Sequence, residues 1–304
     1  MIWFFIALIG SILYTIADHT DKYIISRHLR GGAVGSLIIF SSIFSIVALP
    51  VIIFLHPAVF NVSLLKAVIL AINGMIVVIA ILCYFYALHR DETSFVIPFL
   101  QTIPIFAFIL GYFIIGETIA VTQGIAALII ILGAIVLSFR FRSKNIYFKK
   151  EVVVLMLTAS LLYATNGVIF KLIAVDNGFW LSTFWSLIGK IVLGLGFFAL
   201  VPTYRGQFLA MIRENKMAIL GLNSLSETLF LTAEAVTQYA TLLAPVALVL
   251  LVNSFQPLFV FIIGILLTLF FPKIARESIE LKQIFQKVIG IGIILIGSYF
   301  IIGN

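Results

Sequence analysis

Along the 304-residue chain, apolar runs of about twenty residues alternate with short polar or Pro/Gly-containing breaks. Ten such runs can be read, at 2 to 25, 34 to 55, 65 to 88, 93 to 115, 119 to 139, 152 to 175, 180 to 201, 217 to 240, 243 to 271 and 286 to 302. A helix rising about 1.5 Å per residue needs roughly that length to cross a hydrocarbon core of about 30 Å. None of the runs shows the period-two alternation of a membrane barrel, so the pattern predicts helical spans. The ninth run is the least regular: its apolar stretch ends at Phe271, and Pro272 and the segment RESIELKQIFQK add a polar, interfacial piece before the tenth.

Composition agrees with the pattern. Hydrophobic residues make up 63% of the chain and charged residues 10%, with a mean hydropathy of +1.24; soluble domains are about half apolar and about a quarter charged. The fold class expected is therefore an all-α integral membrane protein with ten transmembrane helices. The first run lacks a positive n-region and a small-residue cleavage site, so it is expected to stay as a span. The lone cysteine, Cys83, leaves no intrachain disulfide or cysteine metal cluster and reads as apolar filler.

The net charge of +7 is a topology signal, not a nucleic-acid footprint. Basic residues gather after the odd-numbered runs: Arg27 and Arg30; Arg90; Arg140, Arg142, Lys144, Lys149 and Lys150; Arg205, Arg213 and Lys216; Lys273, Arg276, Lys282 and Lys287. The even-numbered connections and both ends offer only Lys66. Because positive loops stay in the cytoplasm, both termini are expected on the non-cytoplasmic side of a bacterial-type inner membrane.

The chain also repeats itself. SILYTIADHTDKYII at 11 to 25 lies without gaps over SLLYATNGVIFKLIA at 160 to 174, matching Ser11 with Ser160, Tyr14 with Tyr163 and Lys22 with Lys171. Farther on, PFLQTIPIFAF at 98 to 108 resembles VLLVNSFQPLFVF at 249 to 261, pairing Pro104 with Pro257 and Phe106 with Phe259. Two matches in the same order divide the chain into a first repeat at 1–139, a basic linker at 140–151 and a second repeat at 152–304. Five spans is an odd number, so the halves enter the membrane from opposite faces. Such inverted repeats place a substrate site near the midplane between them.

Polar residues inside the runs supply the candidate site, since an ionisable group in hydrocarbon costs a few kcal/mol unless it is paired or wet. The first run puts Tyr14, Asp18 and Lys22, with Ser11 and Asp21, on about a third of the helix surface, and Asp18 and Lys22 form an i, i+4 pair. Its twin carries Ser160, Tyr163, Asn166 and Lys171. Asn223, Glu227, Glu234 and Gln238 in the eighth run fall within about 60° of one another. Lys190, Asn73, Tyr84, Gln101, Asn253 and Gln256 complete the polar set, and Pro98, Pro104 and Pro257 permit kinks where helices line a cavity. Of these, Tyr14, Asp18, Lys22, Tyr84, Gln101, Tyr163, Asn166, Lys171, Lys190, Glu227, Glu234, Gln238, Asn253 and Gln256 are the candidate substrate-binding residues. Structural alternatives stay open: Lys22 or Lys171 snorkelling to an interface, the latter beside Asp176, a purely structural lysine pair with Glu227 or Glu234, and Asn73, Asn253 and Gln256 as interhelical hydrogen-bond donors and acceptors. His19, His28, His56 and His89 lack ligand spacing, so no metal site is expected.

The segment ETSFVIPFLQTIPIFAFILGYFIIGETIAVTQGIAALIIILGAIVLSF at 92 to 139, with its proline-bearing helix, Gly116–Glu117 turn, Gln123–Gly124 and Gly133, resembles the end of an EamA repeat of the drug/metabolite transporter superfamily. The Tyr14–Lys22 and Tyr163–Lys171 segments resemble that family's first repeat helix. Two features depart from it: the basic residue of the second helix is present only as Lys190, its first-half place holding Ser41 and Ser42, and PKIARESIELKQ replaces a second Gly–Glu turn. The resemblance implies a basket of ten helices around a central cavity that transports amino acids, other small metabolites or drugs.

No phosphate loop, HExxH or GxSxG occurs, so no enzyme and no cofactor is expected. Mixed charges suit a secondary active transporter, an exporter or exchanger, of a small zwitterionic or anionic metabolite, with a glutamate carrying protons. The expected partners are that metabolite, protons and membrane lipids, with the protein a monomer or homodimer. The alternatives are a proton-coupled exporter of cationic drugs and a lipid-carrier flippase.

Overall fold

The computed structural model describes residues 2–28, 34–90, 96, 99–138, 150–214, 217–270 and 281–302. All regular structure among them is helical. The helices are α1 (Ile2–His28), α2 (Val34–Phe44, continuing to Leu55), α3 (Leu64–Arg90), α4 (Ile103–Leu110, continuing to Ile115), α5 (Val121–Ser138), α6 (Lys150–Asn177), α7 (Phe179–Leu200), α8 (Pro202–Glu214), α9 (Met217–Thr241), α10 (Val246–Val252, continuing to Phe270) and α11 (Leu281–Ile302). Every predicted span meets a helix, usually within two or three residues. The predicted linker at 140–151 lies outside the described residues except for Lys150 and Glu151, which begin α6.

Six helices are long and apolar enough to cross a membrane: Ile2–Asp21, Val34–Leu55, Leu64–Ala87, Lys150–Asn177, Phe179–Leu200 and Val246–Leu266. Ile103–Ile115, Val121–Val136 and Phe285–Phe300 are apolar but shorter. Helix α9 is long enough but falls outside this set, its sequence between Asn223 and Gln238 carrying two glutamates and a series of hydroxyl side chains.

Breaks in the helices follow from single residues. Pro50 and Pro257 lack an N–H, so the carbonyls of Ile46 and Asn253 lose their i+4 partners. The chain answers with 3₁₀ turns at Ser45–Val47 and Asn253–Phe255. Gly116 ends α4 with φ +78, the left-handed conformation that suits glycine at a helix end. Gly178, at φ +89, makes the tight turn from α6 into α7.

Small residues set the packing. A Cβ on Gly189 would lie 1.8 Å from the carbonyl oxygen of Ala71, and one on Gly74 would lie 1.8 Å from that of Ser186, so α3 and α7 touch backbone to backbone. Gly133 and Gly297 bring α5 and α11 together in the same way. Helix α1 packs along α9, and α3 along α6 as well. The two halves thus interleave rather than standing side by side.

The connection between the seventh and eighth predicted spans, read from sequence as a basic loop, folds as α8. Its Tyr204 ring covers Gly35, Gln207 Oε1 accepts the Gly35 N–H at 3.0 Å, and the Tyr204 and Tyr86 hydroxyls hydrogen-bond. Cys83, expected as buried filler, is partly exposed.

Candidate functional site

The eighth-run stripe builds one wall. Asn223, Glu234 and Gln238 are buried and Glu227 half-buried, all on the inner face of α9, as the helical spacing requires. Glu234 Oε2 receives a proton-donor contact from Lys190 Nζ of α7, a salt bridge between groups 9% and 5% exposed. Glu227, two turns away, faces a hydroxyl: Ser41 Oγ donates to Glu227 Oε2 at 2.8 Å. Of the two glutamates open to a lysine partner, Glu234 takes it.

Helix α1, packed along α9, supplies an adjoining wall. Asp18 Oδ2 accepts from Gln256 Nε2 at 2.5 Å, and Asp21 Oδ1 accepts from Ser226 Oγ at 2.5 Å. The Asp18 side chain is exposed. The side chain of Lys22 lies outside the described residues, so the predicted Asp18–Lys22 pair does too. Ser11 Oγ donates to Asn253 Oδ1 and to the Val252 carbonyl, both at 3.0 Å, tying α1 to the 3₁₀ turn of α10.

Three tyrosines close the compartment. Tyr14 and Tyr163 both lie within electrostatic reach of Glu234 and Asp18, and Tyr84 within reach of Asp18 and Asp21. The Tyr14 ring meets Phe230 edge-on at 5.1 Å. A narrow cleft opens beside Lys190, lined by Ile38, Ser41, Ser42, Ser45, Val78, Ile81, Phe230 and Leu231. Ser41, Ser42 and Ser45, together with Asp21 and Ser226, are polar wall residues outside the predicted set; the SSIFS pattern on α2 was their signal.

Other polar residues read from the sequence contact neighbouring segments of the protein. Asn73 Nδ2 donates to the Asn166 carbonyl and Asn166 Nδ2 to the Asn73 carbonyl, each at 3.2 Å, a reciprocal clamp between α3 and α6. Gln238 Nε2 reaches Asn166 Oδ1 at 3.5 Å. Gln101 is buried at the break before α4, where the Ser160 hydroxyl holds the Phe99 carbonyl at 3.0 Å. Lys171 sits apart, at the end of α6, with Nζ 2.5 Å from Glu117 Oε1. Its partner is Glu117 of the Gly116–Glu117 turn rather than Asp176. Among the described residues, no group of three metal-ligating side chains gathers.

Carboxylates, tyrosines and the buried Lys190–Glu234 ion pair thus gather among apolar helices from both halves of the chain. Residues 1–139 match the EamA-like transporter family. The match is consistent with the drug/metabolite transporter superfamily. No curated protein matches the chain in sequence. A protein of known crystal structure shares the fold, with a TM-score of 0.63 and 13% identity over 98% of this chain and 95% of that one. The match over residues 1–139 and six helices long and apolar enough to cross a membrane fit a multi-pass membrane protein.

Proposed function

We propose that this protein is an EamA-type, proton-coupled secondary transporter for a small polar metabolite that carries an amine, an amino acid or similar zwitterion, working by alternating access between two inverted five-helix repeats. One observation carries the reading. Among the described residues, Lys171 and Lys190 are each engaged by a glutamate, while Asp18, Asp21 and Glu227 rest on neutral donors. A substrate ammonium finds partners there, whereas a purely anionic substrate would have to displace a glutamate from a lysine. Both termini are proposed to face away from the cytoplasm of a bacterial-type inner membrane, from the distribution of basic loops.

Glu227 is the proposed proton carrier. Ser41 can donate to the carboxylate or, by turning its hydroxyl, accept from the carboxylic acid, so both forms keep a hydrogen bond. Glu234, held by Lys190, has no such freedom.

Purified protein in liposomes, given radiolabelled amino acids and an imposed pH gradient, tests the reading. Accumulation that follows the gradient and is lost in Glu227→Gln supports it; chemical conversion of the solute, or uptake indifferent to pH and to Glu227, sinks it. The same carboxylate excess favours a second reading, export of lipophilic cations. Preferential uptake of a cationic dye over amino acids in that assay would select it.

A further inference from the structure

The Lys171–Glu117 pair lies apart from the central compartment, and its contacts are not those of a simple surface ion pair. Lys171 Nζ is 2.5 Å from Glu117 Oε1 and donates to the Ala244 carbonyl at 2.7 Å. The other carboxylate oxygen of Glu117 accepts the backbone N–H of Val246, the first residue of α10, at 2.8 Å. Both side chains are nearly enclosed, at 12% and 14% exposure. One ion pair therefore binds three segments: the end of α6, the turn between α4 and α5, and the non-helical stretch between α9 and α10. It caps an orphan N–H at one helix end and an orphan carbonyl beyond another.

Beneath it the same three segments meet in an apolar plug: Ala107 of α4, Ala164 and Val168 of α6, and Val246 and Ala247 of α10, with Phe106 and Leu250 packed against them. Val246 belongs both to the plug and, through its N–H, to the ion pair above it. At seams such as α3–α7 backbone lies directly against glycine, leaving no side chains between the helices to rearrange. The plug is closed by side chains and one ion pair at its rim, where departing water can return.

We propose that Lys171 and Glu117 form the gate on the membrane face where α6 ends, so that Lys171 is a positioning residue for the conformational change and not a substrate ligand. Closing the pair draws the α4–α5 turn of the first half onto α6 and α10 of the second and seats the plug; releasing it frees both helix ends and opens the compartment to that face. The proposal rests on the transporter reading above, but its test does not need a known substrate.

The test uses full-length protein in liposomes with Cys83→Ala and a reporter thiol, Leu250→Cys, in the plug. A membrane-impermeant maleimide is applied from each face in turn. Lys171→Gln and Glu117→Gln are expected to raise the labelling rate from one face by roughly tenfold or more, as the population shifts to the open form. Lys171→Arg and the charge exchange Lys171→Glu with Glu117→Lys should return it towards the parent rate. Rates unchanged in the single variants, with the proteins monodisperse, overturn the gate; so does a lowered melting temperature with no change in labelling, which is what a structural brace alone gives. If the parent transports no amino acid yet the labelling pattern holds, the gate stands and the substrate reading fails.

Discussion

Helix α7 is the hinge of a contrast. On one side it meets α3 at backbone distance, Gly74 and Gly189 leaving no room for even a methyl group. On the other side, α2 and α9 barely touch: a cleft lies beside Lys190, and the recorded polar link across it is Ser41 to Glu227. In the proposed inverted repeat, α3–α7 and α9–α2 are counterparts, since the second and third helices of each half exchange places with those of the other. One seam is dry and tight and the other polar and parted. A two-fold related pair that differs in this way is what a single end state of alternating access looks like, and the complementary state would part α3 from α7.

The strongest way to break the contrast is at Lys190, which belongs to the tight seam by its helix and to the polar side by its partner. Lys190→Ala strands Glu234 as an uncompensated buried acid and should cost about 3–5 kcal/mol. Lys190→Ala with Glu234→Ala should recover much of that loss, measured as detergent-solution melting temperature with denaturation by a graded detergent as a second scale. A double variant as damaged as the single would mean that the pair is not the source of the cost. Next comes Gly189→Val, which drives two methyl groups into the Ala71 carbonyl. Overpacking of this kind costs about 1–3 kcal/mol, and the helix backbone on the far side cannot yield as a side chain would. The same melting measurement reads this loss, and a Gly189→Val protein as stable as the parent would show that the seam has room.

Much of this was legible beforehand because it depends on short-range periodicity. Asn223, Glu227, Glu234 and Gln238 share a face at any helix phase, and the burial of Asn223, Glu234 and Gln238 with Glu227 half-buried follows that face. The Tyr14 and Tyr163 match placed both rings near the same carboxylates. Partner choice was not legible, because it is fixed by helix rotation and by segments distant in sequence. Lys190 had two glutamates in range and only the packing of α7 on α3 aims it at Glu234. Lys171 was matched to Lys22 by the repeat and set beside Asp176, yet its partner is Glu117 of the Gly116–Glu117 turn, which had served only as a mark of the family resemblance. Helix α8 escaped because PTYRGQFLAMIRE has no long apolar run; Gly35 and Tyr86, far off in the chain, give it something to pack on.

A smaller effect probes the clamp that keeps α3 against α6. Asn73→Ala removes one of two reciprocal bonds and should cost about 0.6 kcal/mol, at most roughly 1.7 kcal/mol, the range for interhelical hydrogen bonds in membranes. Asn166→Ala should cost a similar amount, and the pair together less than the sum, because the two bonds share their partners. Additive losses would show that the asparagines act separately.

The smallest change in stability should come from Ser41→Ala, and it is the most informative for function. The hydroxyl contributes one hydrogen bond across the parted seam, worth on the order of 1 kcal/mol or less. Glu227 then keeps no donor among its described contacts, so the form that needs an acceptor or donor from α2 loses it in both protonation states. If Glu227 carries the proton, Ser41→Ala should displace the pH dependence of transport while leaving uptake at its optimum within about a factor of three. Ser41→Thr restores the hydroxyl and should restore the profile. A pH profile identical in all three proteins would remove Glu227 from coupling and return the asymmetry of the two seams to packing alone.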